Sequence, residues 1–114
     1  MTCPPTTERL DVVPADGDLD MISASDLAID LGLALSARPR AVIADLTAVR
    51  FVSAAGLSVL ERAHHHAETV GSRFVVVAAQ RCVLLPLALT GLDAVLSVFP
   101  DVRAVVEGLM SGAS

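Results

Sequence analysis

The sequence contains no lysine. Its basic residues are eight arginines scattered through 114 residues, against 13 acidic ones, for a formal net charge of −5. No basic face emerges from that spread, which argues against nucleic-acid binding, where clustered positive charge supplies much of the affinity. The Arg-only usage, with frequent Ala and Val, reflects a GC-rich coding bias rather than a function. Long hydrophobic runs are missing too. The longest, Cys82–Leu89, is interrupted by Pro86, and it falls well short of the roughly 20 apolar residues that a membrane span requires. The start, Met-Thr-Cys-Pro-Pro, has no basic patch ahead of an apolar core, so no secretory signal is expected. Cysteine is scarce: Cys3 and Cys82 stand far apart without metal-ligand spacing. They read as one thiol in a loose segment and one small buried hydrophobe, in a reducing, cytoplasmic compartment.

What is present is apolar surface. The chain is 54% hydrophobic, high for a protein with no membrane segment, and this suggests an apolar face that meets a partner. The length fits one domain with a real core. Residues 1–8, with Thr and Pro but no periodicity, read as a flexible leader, and 9–114 as the domain.

Hydrophobic periodicity divides the rest into alternating elements. Leu10-Asp-Val-Val13 is a brief strand closed by a turn at Pro14-Ala-Asp-Gly17. Ser23 followed by Asp26 fits an N-cap with an acidic third residue, and Ala24, Leu27, Leu31, Ala34 and Leu35 carry a helix to about Ser36. Ala41–Leu46 is apolar on both faces, the pattern of a central parallel strand. A loop over Thr47–Phe51 leads to a second helix from Ala54, with Leu57, Leu60, His64, Ala67 and Val70 as its stripe and Gly71 as its C-cap. Phe74–Ala79 is the next buried strand. A third helix spans Val83 to Thr90, where Pro86 is tolerable only in the first turn. Ala94–Phe99 holds a short strand, and Asp101 caps a last helix bearing Val102, Val105, Val106 and Leu109. The expected architecture is one small α/β domain built on a mostly parallel sheet of four to five strands packed with four α-helices.

Four segments, in order and at matching spacing between about residues 10 and 110, carry a family resemblance. They are Gly17-Asp-Leu-Asp20, Asp45-Leu-Thr-x-Val-x-Phe51, Ser53-Ala-Ala-Gly56-Leu57, and Leu89-Thr-Gly-Leu-Asp93 with Val98-Phe-Pro. The pattern resembles the STAS domain of bacterial anti-sigma factor antagonists. That resemblance implies a cytoplasmic, non-enzymatic regulator of transcription without a cofactor. It would bind an anti-sigma factor of histidine-kinase-like ATPase fold and so release a sigma factor. It implies a partner-binding surface built from Asp20, Thr47, Arg50, Ser53, Ala54, Ala55, Gly56, Leu57 and Ser58. In the family the partner kinase phosphorylates a Ser or Thr in an Asp-Ser-Ser/Thr-Gly segment. Here the acceptor position is Ala55, its neighbour is Ala54, and the family's Asp is Ser53. The expectation is a module that is not switched at this site, with Ser53 as the alternative phosphosite and, first of all, a helix cap. A STAS subunit of a lipid-transport ATPase complex, docking the same helix, is the second reading.

The remaining signals point to structure. His64-His65-His66 are consecutive, and helical neighbours diverge by about 100°, so the three cannot converge on one metal. The i, i+4 pairs Glu61/His65 and His64/Glu68 supply two ligands each where a good zinc site wants three or four. A small hydrolase would recruit Ser53 with Asp20, Asp45, Asp93 or a histidine, yet no Gly-x-Ser-x-Gly elbow or GxxxxGK loop is present; no catalytic residue is assigned. In the resemblance Asp20 and Asp45 lie near the partner-facing end of the sheet, where Asp45 is expected either to face the partner or to cap or brace the loop after it. The family's first strand has only Thr6–Arg9 as a poor candidate. A missing strand would leave a sheet edge open, which suggests a homodimer through that edge.

Overall fold

The structure, a computed structural model, describes residues 10–112, with side chains to residue 108. The expected leader, Cys3, the Thr6–Arg9 strand candidate and the side chain of Leu109 lie outside the described residues. Four strands run β1 (Leu10–Leu19), β2 (Ala41–Val52), β3 (Arg73–Val77) and β4 (Ser97–Phe99), and four helices follow them: α1 (Met21–Ser36), α2 (Ala54–Val70), α3 (Arg81–Thr90) and α4 (Val102–Gly112). The strands lie in sequence order β1-β2-β3-β4, and every adjacent pair is parallel. The α/β architecture anticipated from the alternating pattern is the one observed.

The sheet buries both faces. On one face Val42, Ala44 and Leu46 of β2 and Phe74 and Val76 of β3 meet Leu27, Leu31 and Leu35 of α1, Leu60, Ala63 and Ala67 of α2, and Val83 and Leu87 of α3. On the other face Ala41, Ile43, Val75 and Val77 meet Val105 of α4. Successive strand residues point to opposite faces, so a strand covered on both sides must be apolar throughout. This is why Ala41–Ala44 carries no polar residue.

Several boundaries differ from the sequence reading, each for a physical reason. The expected turn at Pro14–Gly17 is a continuation of β1. Register shifts between Pro14 and Asp16 and between Gly17 and Asp18 absorb the missing Pro14 N–H, and Gly17 takes a φ of 67° there, as bulged strands allow. The expected loop at Thr47–Phe51 is likewise strand. Beyond Asp45, where β3 stops pairing, β2 continues against β1, from Asp16↔Ala48 to Leu19↔Val52. Helix α1 begins at Met21 with Asp20 as N-cap, and Ser23 is the third residue of its capping box rather than the cap. Helix α3 starts at Arg81, which puts Pro86 past the first turn. The carbonyl it orphans belongs to exposed Cys82, where water can reach it, while Val83 and Leu87 are fully buried. A 3-10 turn, Leu92–Ala94, shortens the last strand to Ser97–Phe99. Cys82, expected to be buried, is exposed.

Candidate binding surface at two helix starts

The parallel sheet delivers β1 and β2 to the same end of the molecule, and each turns directly into a helix there. Leu19 is the hinge between them. Its carbonyl accepts from the Ser53 backbone N–H at 2.9 Å and from the Ser53 hydroxyl at 2.6 Å. The same hydroxyl accepts from the Gly56 N–H at 3.2 Å, so Ser53 is the N-cap of α2, as its sequence context suggested. Both hydrogen-bonding directions of Ser53 Oγ are therefore taken by backbone.

Next to it, Asp20 caps α1. Its Oδ1 accepts from Ile22 N at 3.1 Å and Ser23 N at 3.0 Å. Ser23 Oγ accepts from Asp20 N at 3.0 Å, and its one proton is within donating distance of both the Asp18 carbonyl, at 2.6 Å, and Asp20 Oδ1, at 3.0 Å. These bonds, from the Ser23 backbone first and its side chain second, hold the Asp20 carboxyl below its ordinary pKa. Asp45 braces the segment after it, as expected. Its Oδ1 accepts from Thr47 N at 3.1 Å and Thr47 Oγ1 at 2.7 Å.

The sequence-predicted surface residues separate into two groups. Asp20, Thr47, Arg50, Ala54 and Ser58 are exposed, and Ser53 and Ala55 are half-buried at the start of α2. Gly56 is buried and Leu57 half-buried, so this pair shapes the surface from below rather than forming it. A Cβ on Gly56 would stand 3.1 Å from Val52 Cγ1 and 3.2 Å from Leu19 Cβ. This is the close approach that lets α2 lie against the β1–β2 ribbon.

Two apolar side chains at this end, Met21 and Ile22, were not singled out from the sequence, and Phe51 was marked only as the end of the Thr47–Phe51 segment. Met21 and Ile22, the first residues of α1, are 76% and 77% exposed, and Phe51 on the ribbon is 52% exposed. Their signal was available: an apolar pair straight after an N-cap lies outside the buried stripe of Ala24, Leu27, Leu31 and Leu35. Gln80 was also missed. It lies just ahead of α3, and its side-chain amide reaches back to the Leu46 carbonyl at 2.6 Å and the Val49 carbonyl at 2.8 Å. Nothing in the local sequence announces a contact across more than thirty residues.

No group of three metal-ligating side chains is placed to hold an ion among the described residues. His64 Nε2 and His65 Nδ1 both lie against Glu68, at 3.5 and 3.6 Å, so the i, i+4 pair His64/Glu68 forms and His65 meets the same glutamate at i, i+3. His64, on the apolar stripe, is 22% exposed. A hollow of about 270 Å³ beside Asp45 is lined by Pro14, Ala15, Asp16, Asp45, Thr47 and Ala48. It does not reach Ser53, so the hydroxyl and the aspartates do not converge on a common cavity there. No helix among the described residues is long and apolar enough to cross a membrane.

Comparison with known proteins places this geometry in context. Residues 4–105 match the model of the STAS domain. The anti-sigma-F factor antagonist RsfB of Mycobacterium tuberculosis is 30% identical over 103 residues, which cover 89% of this chain and 82% of RsfB. The crystal structure of an anti-sigma factor antagonist from Mycobacterium paratuberculosis superposes with a TM-score of 0.81 at 29% identity, covering 89% of this chain and 86% of that one. A sulfate transporter family protein from Wolinella succinogenes shares the fold, with a TM-score of 0.72 at 17% identity, covering 90% and 88% of the two chains.

Proposed function

The chain belongs to the STAS domain family, and from that premise we propose that it is an anti-sigma factor antagonist whose binding is not switched at the usual phosphorylation position. The observation that carries the reading is the coupled pair of helix starts. Asp20 and Ser53 cap α1 and α2 side by side through Leu19, and the segment from Ser53 to Ser58 has Ala55 where a family acceptor hydroxyl would stand. The 30% identity to RsfB over most of both chains supports the antagonist role.

The partner is an anti-sigma factor of histidine-kinase-like ATPase fold, met in the cytoplasm, and its capture releases a sigma factor. Exposed Met21, Ile22 and Phe51 supply the apolar anchors, with Arg50, Thr47, Asp20, Ala54 and Ser58 as the polar and small rim. Burying three large apolar side chains that are already partly covered returns roughly 3–6 kcal/mol. That offsets only part of the about 4–15 kcal/mol cost of association, so the rim contacts and the preordered surface must supply the rest. The protein's part is binding alone, with no bond made or broken on its own residues.

The missing hydroxyl matters because of what a phosphate does at such a surface. At a helix N-terminus the group is locally tolerated, since free N–H groups and the helix dipole favour it. Against a partner it adds about −1.5 to −2 charges with their hydration, which breaks an apolar contact. Ala55 removes that option, and Ser53 is turned inward to Leu19 and Gly56.

Incubation with the cognate kinase-like partner and ATP tests the reading. The expected result is a stable complex and an unchanged intact mass. Phosphate mapped to Ser53 would instead make Ser53 the switch, and failure to bind any such partner would remove the antagonist role.

A further inference from the structure

We propose that Gln80 is a positioning residue that holds the distal half of β2 in its docking shape by standing in for a missing strand; the inference rests on the binding surface described above. Strand β3 pairs with β2 only from Ala41↔Arg73 to Asp45↔Val77. Past that point β2 keeps β1 on one side and loses its partner on the other, leaving main-chain carbonyls that a sheet would normally satisfy. The chain after β3 turns away, and Gln80 fills the gap with its side chain. One amide nitrogen, Nε2, donates to both Leu46 O at 2.6 Å and Val49 O at 2.8 Å. The amide oxygen accepts from Ala79 N at 3.0 Å, which locks the side-chain orientation. Both Nε2 bonds are partly buried, and the two carbonyls bracket Thr47. Cys82 Sγ adds a weak 3.5 Å contact to Val49 O. From Val49 the strand runs directly into Arg50, Phe51 and the Ser53 cap.

A glutamine suits this task chemically. The two hydrogens on one nitrogen can serve two carbonyls at once, and the oxygen remains to take a backbone N–H. Glutamate has nearly the same shape and keeps the acceptor for Ala79, but presents oxygen where the two donors were. Arginine keeps donors and loses the acceptor. The pair of substitutions therefore separates the donor function from simple occupancy of the space.

The test compares Gln80→Glu and Gln80→Arg with the parent by amide hydrogen exchange and by affinity for the kinase-like anti-sigma factor, with Ala55→Glu as a control. With Gln80→Glu we expect faster exchange confined to residues 46–52, while β3 and α2 stay protected, and a partner affinity about tenfold weaker, since two modest hydrogen bonds are lost. Gln80→Arg should restore most of both. Unchanged exchange over 46–52 would overturn the latch. Faster exchange with unchanged affinity, where Ala55→Glu does weaken binding, would show that the latch exists but does not position the interface, which also overturns the proposal. If Ala55→Glu also leaves affinity unchanged, the surface assignment itself fails, which a positive exchange result keeps distinct from failure of the latch. Uniformly raised exchange in Gln80→Glu that Gln80→Arg does not reverse would mean a general loss of stability and would refute a positioning role.

Discussion

Removing the Ser53 hydroxyl is the sharpest perturbation of the proposed surface, because the capping and switching roles predict different outcomes. In Ser53→Ala the Gly56 N–H loses its cap acceptor, a change that costs about 0.5–2 kcal/mol at helix N-termini. The Leu19 carbonyl loses a 2.6 Å partner but keeps the Ser53 N–H at 2.9 Å. It is therefore not orphaned, and the second loss is of the order of a net hydrogen bond, about 0.5–1.5 kcal/mol. The two losses share one oxygen and do not add in full, so the expected destabilisation is about 1–3 kcal/mol. At about 4 °C per kcal/mol for a domain of this size, that lowers Tm by roughly 4–12 °C.

Urea unfolding with both fluorescence-free far-UV detection and calorimetry measures this directly. Ser53→Asp adds a second arm. Aspartate is a good N-cap acceptor, so it should keep the Gly56 bond, yet it has no proton for Leu19 O. It should fall between the parent and Ser53→Ala, or below both if the carboxylate repels the carbonyl. A Ser53→Ala loss under about 0.3 kcal/mol would refute the capping argument. It would also leave the hydroxyl free for the partner's kinase.

The remaining expectations are shorter. Ala55→Glu should weaken the partner complex at least tenfold by titration calorimetry with Tm held within a few degrees, since a carboxylate in the first turn suits the helix dipole and the position is only half-buried; unchanged affinity would exclude this surface. Gly56→Ala gains about 1 kcal/mol of helix propensity but places a methyl group 3.1–3.2 Å from Val52 and Leu19, so we expect net destabilisation; a raised unfolding midpoint would show that the helix and ribbon can part freely. The Asp20 cap should show in a pH titration. Its folded pKa is depressed, so its contribution is fully present above the unfolded carboxylate value and is lost as pH falls through the folded one. Asp20→Asn should keep the cap and flatten that acid limb, and a limb identical to the parent's would assign it to other carboxylates.

The element order was legible in the sequence because the core is simple. Leu27, Leu31 and Leu35, then Leu60 and Ala67, repeat at helical spacing, although the second stripe also took in half-buried Leu57, His64 and Val70 and passed over buried Ala63; Ala41–Leu46 and Phe74–Ala79 read as buried strands. Punctuation also worked where the backbone demands one residue type: Gly71 and Gly91 both take left-handed conformations at helix ends. What failed was the pair of segments that form the bulged ribbon. Pro14–Gly17 has turn composition and Thr47–Phe51 has no clean alternation, with Thr47 and Ala48 exposed in succession and Arg50 and Phe51 likewise. A bulged ribbon breaks the period of two that identifies strands, so it reads as loop until its partner is known.

The same break explains why the candidate site could be located but not described. Resemblance placed the surface at Asp20, Thr47–Phe51 and Ser53–Ser58, and the structure brings those segments to one end. Its segments are tied together by contacts distant in sequence: Leu19 to Ser53, and Gln80 to Leu46 and Val49. A β2 that ended with β3 would present Thr47–Val52 as a free loop, which would have to be ordered at roughly 1–2 kcal/mol per residue upon binding. Anchoring the Ser53 cap of α2 on the Leu19 carbonyl, beside the Asp20 cap of α1, would remove part of that cost in advance, as would the proposed closure of the open side of β2 by Gln80. Under the proposed function, a surface ordered in this way, with Ala55 where an acceptor hydroxyl would stand, would suit a partner met in one fixed state.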